Sequence, residues 1–447
     1  MTLIDRARAK LGDFWWWSLC LFVALRCGDA INAFVGLWLV PKYVPQSELG
    51  AVLPLLQVTG VFGLPISVLV ITFTKFLNQY KTQGEDGKVK SLIRTFWGFA
   101  MGAILLGTGV ALWLMPHFFE RIRVQPGSLG ILIIATAVLS TTAPVFTNAL
   151  QALMKFRALT VMNLFCAPIR LLVMLVAMPI RALSGYMVGQ AAPPLFQIVW
   201  SWFAIRKDIR PSVRAEPFWR EDWRRLLRYA TYIFLWNGIG TVVMAYQMMI
   251  VRQRMSDLDS AAYYMISRFS ELSTYAGLSF SMLLFPMAAK AAVQQKEDFQ
   301  LFVRTTSGSL VFGVAILAFL WAIGERLFMC VPLWNCYARY VPDMVLLGVI
   351  QLIGVMLNNF SYYEVACNRF SFLWFGVPVT MLQLAFFVCF SGARYFDGIL
   401  PPGVISWMES LGVCNLRPYL YAWLAFMAVN VFCVMVLLWN RSRRHNP

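Results

Sequence analysis

Long apolar runs, separated by short polar connections, extend over almost the whole chain. Twelve of these runs are long enough to cross a bilayer as a helix, which takes about 20 apolar residues rising 1.5 Å each. They cover residues 14–40, 50–74, 93–115, 129–153, 159–180, 183–205, 229–251, 261–287, 306–325, 342–364, 371–391 and 418–440. No connection between them is long enough to hold a soluble domain. The pattern predicts an all-α polytopic membrane protein with about twelve transmembrane helices.

The composition agrees with this prediction. Of 447 residues, 60% are hydrophobic and only 13% are charged, and the mean hydropathy is +0.66. A soluble domain of this composition would have too little polar surface to cover its apolar residues. The first run follows basic residues, as a secretory signal does, but it is too long and carries Arg26 and Asp29. We therefore interpret it as a retained first helix.

The net charge of +17 is explained by membrane topology. If the N-terminus lies in the cytoplasm and the chain changes sides at each span, 25 of the 38 Lys and Arg residues fall inside and 10 fall outside. This distribution follows the positive-inside rule and predicts that both termini are cytoplasmic. It also removes the reason to expect a nucleic-acid partner.

The longest polar stretch divides the predicted spans into six and six. This division predicts an N-terminal lobe over 1–205, a cytoplasmic linker over 206–228 and a C-terminal lobe over 229–447. Within the linker, Trp219 and Trp223 lie at helical spacing opposite several arginines. We interpret this segment as a basic amphipathic helix that lies on the cytoplasmic leaflet and contacts membrane lipid. A solvated linker and a partner-binding surface are the alternatives.

The two halves of the chain carry similar short motifs in similar places. Ser47-Glu48-Leu49 follows the first span, and Ser256-Asp257-Leu258 follows the seventh. Internal repeats of this kind are common in transporters, whose substrate sites lie near the membrane midplane between the repeats. The repeat therefore favours a transport function.

The residues needed for most enzyme chemistry are missing from the predicted spans. The two histidines are His117, in an outer loop, and His445, near the end of the chain, and no phosphate-binding GxxxxGK[ST] motif is present. The nine cysteines are scattered without a CxxC pair. Cys330, Cys336 and Cys414 fall on the predicted outer side, where one disulfide could form, although unpaired thiols are favoured. We expect no enzyme activity, no cofactor and no metal site.

Charged residues inside the predicted spans are the candidate site. Arg26 and Asp29 lie three residues apart on the first span, and Arg268 and Glu271 repeat this spacing on the eighth. Residues three apart lie on one helix face. A charge at bilayer depth costs roughly 2.5–3.5 kcal/mol on insertion scales, and such residues commonly bind something polar. The alternative is that each arginine pairs with its own acid, which makes burial tolerable without any binding role.

Two further basic residues belong to this candidate site. Arg170 lies in the middle of the fifth span with no acid in its own helix, so self-pairing within the helix does not explain it. Lys75 lies near the inner end of the second span, where a long side chain can extend towards water. Guanidinium groups stay charged and present a planar fork that bridges two phosphate oxygens. The arginines therefore favour an anionic substrate that bears phosphate.

Several stretches of the chain resemble the multidrug/oligosaccharidyl-lipid/polysaccharide exporter superfamily, in particular its bacterial polysaccharide or O-antigen flippase branch. They are the turn Ser47–Gly50, the stretch Ala149–Leu153 leading into Lys155–Arg157, and Leu283–Pro286 in the eighth span. The resemblance covers nearly the whole chain. It implies two six-helix lobes around a central cavity and alternating access.

The resemblance to the flippase branch implies a polyprenyl-diphosphate-linked oligosaccharide as substrate, which moves from the inner to the outer leaflet of the bacterial inner membrane. In related flippases, cationic residues of the first and eighth helices line the cavity, and Arg26 and Arg268 occupy those helices here. The resemblance also implies coupling to a Na⁺ or H⁺ gradient, through Asp29 or Glu271, and a place among glycan-assembly enzymes. Both charged pairs are then expected to face one cavity between the lobes.

Two other functions fit the same residues. A cation-coupled multidrug antiporter of the same fold predicts that an acid, rather than an arginine, is essential. A non-transporting scaffold of a glycan-assembly complex predicts normal function after the intramembrane charges are removed.

Overall fold

The chain folds into long helices. The computed structural model describes residues 20–21, 23–82, 84–125, 127–152, 155–206, 220–293, 299–367, 369–390, 401, 403, 406 and 415–445. Within these ranges the structure describes only the backbone of some helical residues, including Lys75. The described residues form helices joined by turns, which confirms the predicted all-α class.

The helices are numbered here in chain order. They are α1 (Val23–Tyr43), α2 (Gln46–Leu49), α3 (Val52–Thr82), α4 (Asp86–Ile122), α5 (Leu129–Ala152), α6 (Phe156–Ala177), α7 (Ala182–Ile205), α8 (Arg220–Ile233), α9 (Ile239–Arg254), α10 (Asp257–Val293), α11 (Phe299–Cys330), α12 (Val341–Ala366), α13 (Leu373–Phe390) and α14 (Leu416–His445). Each of the twelve predicted spans coincides with one long helix, counting α8 and α9 together.

The protein is a multi-pass membrane protein. Nine described helices are long and apolar enough to cross a membrane by length and composition, and the apolar helix Leu373–Cys389 is shorter. Large apolar side chains are exposed along several of them, for example Leu105 at 70% and Trp113 at 73% on α4. Such surface is unfavourable in water and favourable against lipid.

The predicted amphipathic helix is present, but it does not end before the seventh span. Helix α8 begins at Arg220 and continues through a π-helical turn, Phe234–Gly238, into α9. Its apolar side packs on protein: the Trp223 ring lies 5.9 Å from Phe99 of α4, and the Tyr229 ring lies 6.5 Å from Phe76 of α3. Residues 207–219, which include Trp219 and most of the predicted linker, lie outside the described residues.

The described helices form two compact units. The first contains the residues up to Pro45 together with Leu55–Thr241, and the second contains Gln46–Pro54 together with the chain from Val242 onwards. The domain boundaries predicted at 205/206 and 228/229 stay a prediction.

Helices α5, α6 and α7 form the best-packed part of the first unit, and α7 lies against both of the others. Leu150, Leu159, Met162 and Ile205 form a buried cluster there. At the start of α7, Gly185 lies so close to the backbone of Ala177 that a Cβ atom would overlap it. This close approach lets α7 fold back on α6 across a turn of only a few residues.

Helix α10 is the centre of the second unit and packs against α11 and α12. Glycine and leucine alternate across the α11–α12 contact: a Cβ on Gly313 would overlap Leu352, and a Cβ on Gly348 would overlap Leu317. Small residues of this kind let membrane helices approach closely, since van der Waals contact replaces the hydrophobic driving force in lipid.

A buried arginine holds the short segment Gln46–Pro54 within the second unit. Arg252, only 2% exposed, donates hydrogen bonds to Asp257 Oδ1 at 2.8 Å and to the backbone oxygen of Ser47 at 2.8 Å. Beside it, a Cβ atom on Gly50 would overlap the Ser260 side chain. The two similar motifs noted in the sequence, at 47–49 and 256–258, therefore meet each other through Arg252.

No disulfide joins Cys330 and Cys336, two of the three cysteines considered for one. Cys330 and Cys336 are both exposed free thiols, and Cys414 lies outside the described residues.

We predict that Gly185→Ala destabilises the protein, because the added methyl group meets backbone atoms that move only if α6 and α7 separate. Overpacking of this kind costs about 1–3 kcal/mol. Thermal unfolding in detergent, followed by tryptophan fluorescence, measures the loss.

The matched control is Gly102→Ala in α4, where nothing lies within 4 Å of the added Cβ. Alanine is the better helix former, so this variant should unfold at or slightly above the wild-type temperature. Equal unfolding temperatures for Gly185→Ala and the wild type would contradict the close α6–α7 approach.

Candidate functional site

The charges on α1 form an ion pair within the helix. Arg26 Nη1 lies 3.0 Å from Asp29 Oδ2, and the two side chains are 24% and 29% exposed. The spacing of three residues places both on one side of the helix, as the sequence predicted. Each group therefore offsets the other's charge while remaining partly accessible.

Helix α1 lies directly against α6. A Cβ atom on Gly28 would lie 3.6 Å from the Ala167 Cβ, at ordinary van der Waals distance. One turn further along both helices, Arg170 Nη1 donates a hydrogen bond to Asn32 Oδ1 at 2.7 Å. The contact between two small residues lets these longer polar side chains meet across the helix interface.

Asn32 connects the two groups of charges in the first unit. It follows Asp29 by three residues on α1 and accepts the hydrogen bond from Arg170 on α6. The structure thus places Arg170 against α1 at a point one helical turn from Asp29, the partner of Arg26.

The polar neighbourhood of the first unit extends to α7. Cys166, one turn before Arg170 on α6, accepts a hydrogen bond from Gln197 Nε2 with a nitrogen–sulfur distance of 3.4 Å. A third helix therefore contributes a polar side chain near Arg170, within an otherwise apolar bundle.

The second unit has its own charged group on α10. Arg268 Nη1 lies 2.7 Å from Glu271 Oε2, with the side chains 20% and 26% exposed. The Tyr275 hydroxyl donates to the same carboxylate oxygen at 3.2 Å, and the Arg268 guanidinium carbon lies 5.4 Å from the centre of the Tyr264 ring. The acid and the Tyr264 ring hold the guanidinium, and Tyr275 holds the acid. The pair has no net charge when both groups are ionised.

Lys75 lies on α3, but its side chain is not among the side chains that the structure describes. The expectation that the pairs on α1 and α10 face one shared cavity stays a prediction. The proximity of Arg170 to the α1 pair was not predicted from the sequence.

Three residues that contribute to the candidate site were not identified from the sequence. Asn32 extends the three-residue spacing of Arg26 and Asp29, which is a signal that could have identified it. Tyr264 and Tyr275 lie four residues on either side of the α10 pair, at a spacing that brings them to the same side of the helix. Tyrosines are common in membrane helices, so this signal is weaker.

No family model matches the chain, and no curated protein sequence matches it. Several solved structures are similar to the chain. An inward-facing multidrug resistance MATE family transporter of the MOP superfamily has a TM-score of 0.60 and 15% identity, covering 92% of this chain and 95% of that one. The MATE transporter VcmN of Vibrio cholerae has a TM-score of 0.61 and 13% identity, covering 96% and 98%.

The lipid II flippase MurJ, in an inward closed conformation, has a TM-score of 0.54 and 11% identity, covering 94% of this chain and 92% of that one. Similarity over nearly the full length of both kinds of protein shows that this chain has the fold they share. At identities of 11–15% the similarity shows the fold alone.

We predict an energetic coupling between Asn32 and Arg170. Removing a partner of a charged hydrogen-bonded group costs about 1.5–3 kcal/mol, so Asn32→Ala should destabilise the protein because the guanidinium loses the Asn32 acceptor oxygen. A double-mutant cycle with Arg170→Met, read from unfolding in detergent, should give a coupling above about 0.5 kcal/mol.

The control is Asn32→Asp, which keeps an acceptor oxygen and adds a negative charge beside Arg170. This variant should retain or exceed wild-type stability. Strictly additive effects of Asn32→Ala and Arg170→Met would contradict the coupling.

Proposed function

We propose that this protein is a flippase that moves a lipid-linked anionic saccharide across the bacterial inner membrane by alternating access. The observation that carries the proposal is that Arg170 of α6 meets α1 at Asn32, one turn from the Arg26–Asp29 pair, within a membrane helix bundle. A positive site in lipid is costly, and a diphosphate bound there would offset the cost.

The chemistry of the arginines supports a diphosphate ligand. A guanidinium group bridges two phosphate oxygens with parallel hydrogen bonds and stays charged at any physiological pH. Saccharide carriers of the polyprenyl-diphosphate class present such oxygens at the headgroup, next to a long apolar chain suited to the lipid phase. The fold shared with the flippase MurJ is consistent with this class of substrate.

The contacts suggest different roles for the arginines. Arg26 and Arg268 each lie beside a carboxylate of the same helix, so a diphosphate must compete with Asp29 or Glu271 for them. Arg170 donates to the neutral amide of Asn32 on α1. We propose that Arg170 binds the diphosphate together with Arg26, that Arg268 binds it in the second unit, and that Lys75 adds positive field near the inner end of α3.

Released carboxylates would then be available to a coupling ion. When a diphosphate displaces Asp29 from Arg26, or Glu271 from Arg268, the acid regains affinity for H⁺ or Na⁺. This exchange provides a link between substrate binding and an ion gradient without any further group.

We expect Arg26→Ala, Arg170→Gln and Arg268→Ala each to slow flipping at least tenfold, because each removes a charged hydrogen bond worth about 1.5–3 kcal/mol. The assay uses proteoliposomes containing a short-chain polyprenyl diphosphate with a fluorescent group in place of the saccharide. Quenching of the outer leaflet measures the flipping rate.

Arg304→Gln is the control, since Arg304 is exposed on α11 and donates a hydrogen bond to Gln300, one turn earlier, at 3.3 Å. It should flip the probe at the wild-type rate. Full flipping activity in both Arg26→Ala and Arg268→Ala would rule out diphosphate binding by these residues. No flipping by the wild-type protein would favour the scaffold role.

A cation-coupled multidrug antiporter is the second candidate, and the similarity to multidrug resistance MATE transporters favours it. In that case Asp29 and Glu271 bind the coupling ion or a cationic drug, and the arginines only hold them in place.

This second candidate predicts that Asp29→Asn or Glu271→Gln abolishes ethidium efflux driven by an imposed Na⁺ or H⁺ gradient. The flippase proposal predicts no ethidium efflux in the wild type. Gradient-driven efflux that persists in Arg170→Gln and disappears in the acid variants would replace the flippase with the antiporter.

A further inference from the structure

Three arginines of α8 form an exposed basic surface. Arg224, Arg225 and Arg228 are all exposed, and within the part of the chain that the structure describes no carboxylate lies at ion-pair distance from them. Leu227, 58% exposed, lies among them. These four residues are called the arginine surface below.

The opposite side of α8 is occupied by the protein itself. Leu226 and Tyr229 are buried at 8% and 6% exposure, and the rings of Trp223 and Tyr229 contact aromatic residues of α4 and α3. The helix therefore cannot turn its apolar side to the membrane, as the sequence had suggested. Its orientation is set by packing, and the arginine surface points away from the bundle.

The position of the surface along the chain places it at the end of a membrane span. Arg228 precedes Phe234 by six residues, which is about 9 Å of helix rise. Phe234 is apolar and 47% exposed, and the helix continues through the π-helical turn into α9. Guanidinium groups at this height lie where the phosphates of a leaflet lie, while an exposed leucine beside them meets the upper acyl chains.

We propose that the arginine surface binds the phosphate groups of anionic phospholipids in the leaflet around this end of the seventh span. The positive charge of the arginines is complementary to the negative charge of the lipid phosphates, and the arginines lie at the height of those phosphates. Packing of the opposite helix face fixes the arginines in position before a lipid arrives. This site is separate from the polar group around Arg170 and does not depend on which substrate the protein transports.

The test uses the full-length protein in a neutral detergent at constant ionic strength. Dihexanoyl phosphatidylglycerol, dihexanoyl phosphatidylcholine and inorganic phosphate are titrated separately, and native mass spectrometry counts bound molecules. We expect phosphatidylglycerol to bind in preference to the other two. Each basic residue near an anionic surface contributes a factor of roughly five in affinity, so R224Q/R225Q/R228Q should weaken binding about 100-fold.

Two variants make the result specific. R224K/R225K/R228K keeps the charge and should retain most of the affinity, which separates loss of charge from loss of fold. Arg304→Gln removes an exposed arginine elsewhere and should bind as the wild type does. Equal phosphatidylglycerol binding in the wild type and the triple Gln variant would overturn the proposal, and so would inorganic phosphate binding as tightly as the lipid.

Discussion

The structure depends on one constraint, which is that a polar group within lipid must find its partner in the protein. Arg26 and Arg268 satisfy this constraint within their own helices, through acids three residues away. Arg170 satisfies it across a helix interface. The buried side chain of Arg252 satisfies it through hydrogen bonds that join three chain segments. The partners of Arg170 and Arg252 thus join different segments of the chain, whereas those of Arg26 and Arg268 do not.

The two units apply this constraint differently. In the second unit the charged group on α10 is balanced and held by tyrosines, so its arginine is stabilised without any ligand. In the first unit Arg170 instead donates a hydrogen bond to the amide oxygen of Asn32 on a neighbouring helix, so the polar contact joins two helices.

Much of the fold could be predicted from hydrophobic pattern alone, because each span is a local property of about 20 residues. The predicted span 129–153 and the helix Leu129–Ala152 agree almost to the residue. The pattern could not show that α8 continues into the seventh span, since a change from polar to apolar composition does not end a helix. Nor could it show that Asn32 meets Arg170, because 138 residues separate them and the contact depends on the packing of α1 against α6, where Gly28 lies on Ala167.

The capture of Gln46–Pro54 by Arg252 also bears on biosynthesis. Ser47 leaves the ribosome 205 residues before the guanidinium that binds its carbonyl group. During that interval the first helices are already in the membrane, while the surface that receives the segment has not been made. Insertion of the early spans therefore cannot complete their tertiary structure, and the final folding step must wait for the seventh and eighth spans to emerge.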